Sequence, residues 1–253
     1  MPAGLYLVAT PIGNLKDISI RALETLSNVD IILCEDMRVS KKLLTHYGVR
    51  KPCEAYHDHS DTKKRASIVG RIREGKSFAL ISDAGMPMIS DPGYKIVRGL
   101  QEENLMVCAI PGASSVLAGL QLSGLPSDCF SFIGFLPAKT SARKTVLKEW
   151  QGRETTIIAF ETSKRLIGAL ADIRDVMGEQ RKVAVVREIT KKFEETKMDM
   201  VGQLIYKYET DGLPKGEIVL VIEGGVKQED WSQGRLIDAI KDAMQNHKIK
   251  EVA

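Results

Sequence analysis

Short apolar runs alternate along the whole chain with stretches in which hydrophobic residues recur every three or four positions. In the first half the runs predict strands over 5–9, 31–35, 54–56, 78–82 and 107–110. Between them, the segment Ser19-Ile-Arg-Ala-Leu-Glu-Thr-Leu26 has helical spacing, with Asp17 or Ser19 as its cap. A helix over 40–47 stops at Gly48, and one over 93–103 stops near Asn104. Ile68, Val69 and Ile72 supply the buried side of an amphipathic helix in 63–76. The stretch 113–123 is predicted helical, offering Val116, Leu117, Leu120 and Leu122 for burial, until Gly124-Leu-Pro126 ends it. Beyond that break the alternation resumes, with strands at 130–133, 156–160, 183–189 and 218–222 and helices near 140–150, 164–176, 202–209 and 232–247. Strands alternating with helices predict an α/β fold, a mostly parallel sheet carrying helices. The break at Gly124 divides the chain into an N-terminal α/β domain, 1–123, and a C-terminal α/β domain, 124–253, that closes on a terminal helix.

Composition narrows the class. The 253 residues are 43% hydrophobic and 27% charged, which suits a globular protein, and no apolar run approaches the ~18–20 residues of a membrane span. The opening lacks a basic segment ahead of an apolar one, so the cytoplasm is the expected compartment. Cys34, Cys53, Cys108 and Cys129 are too scattered for a zinc motif or a disulfide framework and read as buried free thiols. The net charge is only +3, but cations cluster at 63–76 and at 137–153. The first cluster suits the solvated face of a helix. The second, which follows Gly134-Phe-Leu-Pro137, reads as a loop presenting Lys139, Arg143 and Lys144 to a polyanion.

Candidate chemistry lies where strands end. The first strand runs into Ala9-Thr-Pro-Ile-Gly-Asn14, the fourth into Ser82-Asp-Ala-Gly85 and the fifth into Pro111-Gly-Ala-Ser-Ser115. In open α/β sheets ligands bind at this carboxyl edge. The Gly-x-Gly-x-x-Gly fingerprint does not occur, which argues against the usual dinucleotide site.

The motifs Val8-Ala-Thr-Pro-Ile-Gly-Asn-Leu-Lys-Asp-Ile18, Glu35-Asp-Met-Arg38, His57-Asp-His59, Ser82-Asp-Ala-Gly-Met-Pro-Met-Ile-Ser-Asp-Pro-Gly93, Ile110-Pro-Gly112, Gly124-Leu-Pro-Ser-Asp128 and Gly134-Phe-Leu-Pro137 occur in that order. Phe160-Glu-Thr-Ser-Lys-Arg165, Arg187-Glu-Ile-Thr-Lys191 and Lys215-Gly-Glu217 follow. Together they resemble the ribosomal RNA small subunit methyltransferase I family of the tetrapyrrole methylase superfamily, over about residues 5 to 225. The resemblance implies a class III methyltransferase, not a Rossmann one: two α/β domains with the cofactor in the cleft between them, usually as a homodimer. It further implies methyl transfer from S-adenosylmethionine to the ribose 2′-hydroxyl of a cytidine in the decoding region of small-subunit rRNA, with no membrane partner. By the same resemblance the cofactor meets Asp83, Ala84, Gly85 and Pro87, Ser114 and Ser115, and Phe160, Glu161 and Ile189.

A ribose hydroxyl is a poor nucleophile until it loses its proton, so a base or an alkoxide-stabilising cation is expected nearby. Glu35, Asp36, Arg38, the His57-Asp58-His59 cluster and Glu161 are the candidates. Asp36 and Arg38 are taken as the substrate-side pair, the alternative being that Asp36 caps the next helix or simply pairs with Arg38. The two histidines lack a third ligand, so no metal is expected. Lys139, Arg143, Lys144 and Arg165 are the expected RNA contacts, since phosphate neutralisation sets affinity. Met37 and Met86 stand where the family commonly has Thr, and the chain stops where the family usually continues into a small basic helical segment, which would weaken the grip on rRNA. Two other readings compete. A precorrin-type or diphthamide-pathway methyltransferase would ordinarily open with a Gly-rich loop, where this chain has Thr10-Pro-Ile-Gly-Asn14. A non-enzymatic RNA-binding module would draw on the two methionines and the short end.

Overall fold

A computed structural model of the chain describes residues 1–57, 62–225 and 241. The expected helix at 232–247, apart from Lys241, and Asp58 and His59 of the histidine cluster lie outside the described residues. The first half runs β1 (Gly4–Val8), α1 (Ile20–Asn28), β2 (Ile31–Cys34), α2 (Met37–His46), β3 (Cys53–Ala55), α3 (Thr62–Arg73), β4 (Ser77–Ile81), α4 (Tyr94–Glu102), β5 (Val107–Ile110) and α5 (Ser115–Ser123). Its five strands form one sheet in the order β3-β2-β4-β1-β5, every pair parallel. Alternate residues of these strands feed two cores. Leu5, Leu33, Phe78 and Leu80 pack with Ile68 and Ile72 of α3 and Ile96 and Leu100 of α4. Tyr6, Val8, Ile32, Cys34 and Ile81 pack on the other face with Ala22 and Leu26 of α1 and Leu44 of α2. Burial on both faces is why these strands read as unbroken apolar runs.

The second half runs β6 (Phe130–Phe135), α6 (Thr140–Trp150), β7 (Thr156–Thr162), α7 (Leu166–Met177), β8 (Lys182–Arg187), β9 (Glu195–Met200), α8 (Val201–Asp211) and β10 (Glu217–Ile222). Its sheet, in the order β6-β7-β10-β8-β9, departs from the parallel expectation: only β6 and β7 are parallel, and the three remaining pairs are antiparallel. The missed strand β9, Glu-Thr-Lys-Met-Asp-Met, is a half-exposed edge without an apolar run. It follows β8 through a loop, so no crossover helix forces a parallel return.

α5 joins the halves. Val116 and Leu120 pack with Ile12 from the first half and Ile158, Ala184, Val186, Val219 and Val221 from the second sheet. Leu117 and Leu122, expected to be buried, are 49% and 41% exposed. One face of α5 is committed to the second sheet, and these two leucines lie off it. The opposite face of that sheet is covered by α6, α7 and α8 through Leu147, Leu170, Ile173 and Leu204.

Candidate active site

The loops leaving β1, β4 and β5 meet at one edge of the first sheet. Thr10 and Gly85 clasp two of them through paired backbone hydrogen bonds, Thr10 N to Gly85 O at 2.8 Å and Gly85 N to Thr10 O at 3.1 Å. The buried Thr10 hydroxyl adds a bond to the Ser82 carbonyl at 3.2 Å. Gly85 has φ +78°, and a Cβ there would sit 3.3 Å from Ile12 Cγ2, so both conformation and closeness favour glycine. The third loop ends at Ser114, whose side chain caps α5 by accepting from Leu117 N.

These loops form one side of a cavity of about 350 Å³. Ile12, Ala84–Met86, Ile89–Asp91 and Ser114–Val116 come from the first half; Phe135, Phe160–Thr162, Ile189 and Gly216–Val219 close it from the second. That size and a mostly apolar wall with a few polar groups suit one small organic ligand. Four of the five non-glycine residues with positive φ among the described residues flank it: Met88 and Ser90 on one side, Glu188 and Thr190 on the other. Such backbone persists only where the surroundings over-determine it, and it concentrates at ligand sites. On the second side, Lys191 Nζ bonds Glu188 Oε1 at 2.9 Å and Glu217 Oε2 at 3.0 Å, fixing the 188–191 turn to the start of β10.

Glu161 is the polar feature of this wall. It is 2% exposed, and its Oε1 accepts from Thr162 N at 2.6 Å and from Arg165 Nε and a terminal guanidinium nitrogen at 2.7 and 2.6 Å. Its Oε2 is buried and has no hydrogen-bond partner. A buried carboxylate oxygen without a donor is costly, and here it belongs to a residue of the cavity wall, where a ligand N–H or O–H would satisfy it.

Of the residues assigned to the cofactor, Ala84, Gly85, Ser114, Ser115, Phe160, Glu161 and Ile189 line the cavity. Asp83 and Pro87 do not. Pro87 is buried, and Asp83 stands just outside, its Oδ1 accepting from Asp36 N at 3.1 Å. The lining residues Phe135 and Gly216–Glu217 were missed although Gly134-Phe-Leu-Pro137 and Lys215-Gly-Glu217 stood out as motifs. Their signal was present, but no strand-end argument pointed from them to the first-half loops. Met86, flagged for its missing hydroxyl, is on the wall.

Asp36 and Arg38 lie outside the lining, next to Asp83. Asp36 caps α2, which starts at Met37 rather than at residue 40, and its carboxylate also takes Arg38 Nε at 3.1 Å and a terminal nitrogen at 2.6 Å. Hydrogen bonds from the Arg38 side chain and backbone bring the Asp36 pKa down to about 2. A carboxylate so stabilised is a weak proton acceptor at neutral pH. The guanidinium of Arg38 remains open, its side chain 89% exposed.

The expected RNA contacts need correction. The segment holding Arg143 and Lys144 is helix α6, not a presenting loop. Arg143 is 4% exposed and bonds Asp172 Oδ2 at 2.6 and 2.7 Å, and Lys144 Nζ bonds Asp175 Oδ2 at 2.7 Å. Arg165 is held by Glu161. Lys139 alone of the four is exposed. Cys129, expected to be buried, is exposed, while Cys34 is buried; all four cysteines are free. Among the described residues no helix is long and apolar enough to cross a membrane, and no three metal-ligating side chains gather.

Residues 4–205 match the model of the tetrapyrrole (corrin/porphyrin) methylases. The chain is 45% identical over 230 residues to Ribosomal RNA small subunit methyltransferase I of Rickettsia prowazekii, covering 91% of this chain and 81% of that protein. It is 47% identical over 218 residues to the protein of the same name from Mesorhizobium japonicum, covering 86% and 74%. Among solved structures, diphthine synthase superposes with a TM-score of 0.64 at 16% identity, covering 87% of this chain and 89% of that one.

Proposed function

We propose that the chain, which belongs to the tetrapyrrole methylase family, transfers a methyl group from S-adenosylmethionine to the ribose 2′-hydroxyl of a cytidine in the decoding region of small-subunit ribosomal RNA. The observation that carries the choice of rRNA is the high identity to relatives named for that substrate, over most of both chains. Diphthine synthase, at 16% identity, shares the fold alone.

S-adenosylmethionine is the cofactor, and the cavity suits it. The unpartnered Glu161 Oε2 can accept from its amino or hydroxyl groups, and Val116, Ile189, Ile218 and Val219 offer an apolar wall for a purine. When bound, the cofactor supplies an electrophilic methyl on a sulfonium, so the protein's work is alignment and electrostatics. The clasped Thr10 and Gly85 loops fix one side, and the Glu161–Arg165 pair fixes the other. Outside the lining, next to Asp83, Asp36 orients Arg38, whose exposed guanidinium would stabilise the ribose oxygen as its proton leaves. The protein acts as a homodimer in the cytoplasm, which light scattering of the purified chain tests.

The experiment is methylation of transcribed small-subunit rRNA and of assembled small subunits by the purified protein, with ribose-methylation mapping. One new 2′-O-methylcytidine supports the reading. Methyl on a base, or none on either substrate, overturns it.

A further inference from the structure

With Arg143, Lys144 and Arg165 held by carboxylates, only exposed Lys139 of that set is left for a polyanion, and the denser group of open cations lies elsewhere. From Met37 to Lys51 the chain carries Arg38, Lys41, Lys42, Arg50 and Lys51 and not one Asp or Glu. α2 buries Ser40 and Leu44 and half-buries Met37 and Leu43. Helical geometry therefore gathers Arg38, Lys41, Lys42 and Thr45 on the opposite, exposed face. Lys41, Lys42 and Arg50 make no ion pair among the described residues. Helix stability does not explain this face, because cations at its start oppose the helix dipole and like charges three and four residues apart repel.

α2 is also fixed at both ends to the loops of the cavity. At its start, the Asp36 amide bonds Asp83, the neighbour of the lining residue Ala84. At its end, the Tyr47 hydroxyl bonds the Leu15 carbonyl, three residues beyond the lining residue Ile12. A cationic helix about 15 Å long is thus tied at both ends to loops of the cavity.

We propose that the exposed face of α2, extended by Arg50, carries the phosphate backbone of the RNA while the target ribose is presented beside the cavity. This inference rests on the rRNA reading above. Phosphate neutralisation makes such a face detectable, because each contact contributes about 0.7 to the slope of log affinity against log salt for a single strand.

The test measures binding of transcribed small-subunit rRNA by wild type, Lys41→Gln/Lys42→Gln and Lys41→Glu/Lys42→Glu across a salt series, with cofactor affinity by calorimetry as the check on folding. The glutamine pair is expected to lower the salt slope by about 1.4 and the glutamate pair to weaken binding more than tenfold at low salt. Cofactor affinity should stay unchanged. Wild-type slope and affinity in both variants overturn the proposal while leaving the rRNA reading standing. A wild type that neither binds nor methylates the RNA overturns the rRNA reading, and the α2 face with it.

Discussion

Glu161, a residue of the cavity wall, has one carboxylate oxygen saturated by Arg165 and Thr162 and the other buried without a partner. Glu161→Gln keeps the shape but exchanges an acceptor for a donor or loosens Arg165, whichever way the amide turns. A hydrogen bond to a charged group contributes about 1.5–3 kcal/mol, so calorimetry should find S-adenosylmethionine bound roughly ten- to a hundredfold more weakly. An unchanged affinity would remove Glu161 from the site. Cys34 makes a second residue-scale prediction. Burial pushes its thiol up to about 12, so it stays neutral and closed to thiol reagents at pH 8, while exposed Cys129 is labelled. The neutral form favours the fold. Its contribution is complete below the unfolded thiol pKa of about 8.5 and is lost as pH rises from there toward 12, so Cys34→Ser should flatten the alkaline decline in stability. The family resemblance pointed to Glu161 but not to its environment, since Glu161 read equally as a base, and nothing local in Arg143 announced Asp172.

At the scale of elements, α6 and α7 are joined by the buried Arg143–Asp172 pair, with the Pro137 carbonyl and Thr140 hydroxyl taking further guanidinium hydrogens. Removing one partner strands the other charge out of water, which costs about 3–5 kcal/mol. Arg143→Met should therefore lower the melting temperature by on the order of 10 °C in a chain of this size. The salt slope of RNA binding should not change, and a lowered slope would restore Arg143 to the RNA surface. The same elements show how far a sequence carries. The first sheet was legible because double burial makes its strands continuous apolar runs, as in Ser77–Ile81. Helix α3 was legible through Ile68, Val69 and Ile72. Glu195–Met200 was not, because an edge strand needs an apolar side chain on one face only and takes its partner, β8, from distant backbone. Overlooking it made the second sheet seem to repeat the first. Likewise α2 was placed three residues late, since its cap is Asp36, a residue also suited to catalysis.

At the scale of the molecule, the cavity has no complete wall in either half. Three strand-end loops supply one side, and β7, β10 and the 188–191 turn supply the other. The same seam is packed by Ile12, Val116 and Leu120 against Ile158, Val186 and Val219, so the residues that join the halves adjoin those that hold the ligand. A ligand contacting both sides stabilises their union and not one half. At a free concentration of about 100 Kd, S-adenosylmethionine should add about 2.7 kcal/mol to unfolding and move a single calorimetric transition upward. Damage to either side should cut the shift: Gly85→Val, which forces a branched side chain onto a positive φ against Ile12, should abolish it, and Glu161→Gln in the opposite wall should shrink it to about 0.4–1.4 kcal/mol at the same concentration. If the cofactor instead splits the trace, raising one transition and leaving another in place, then it binds within one half and the two-sided cavity is not its site.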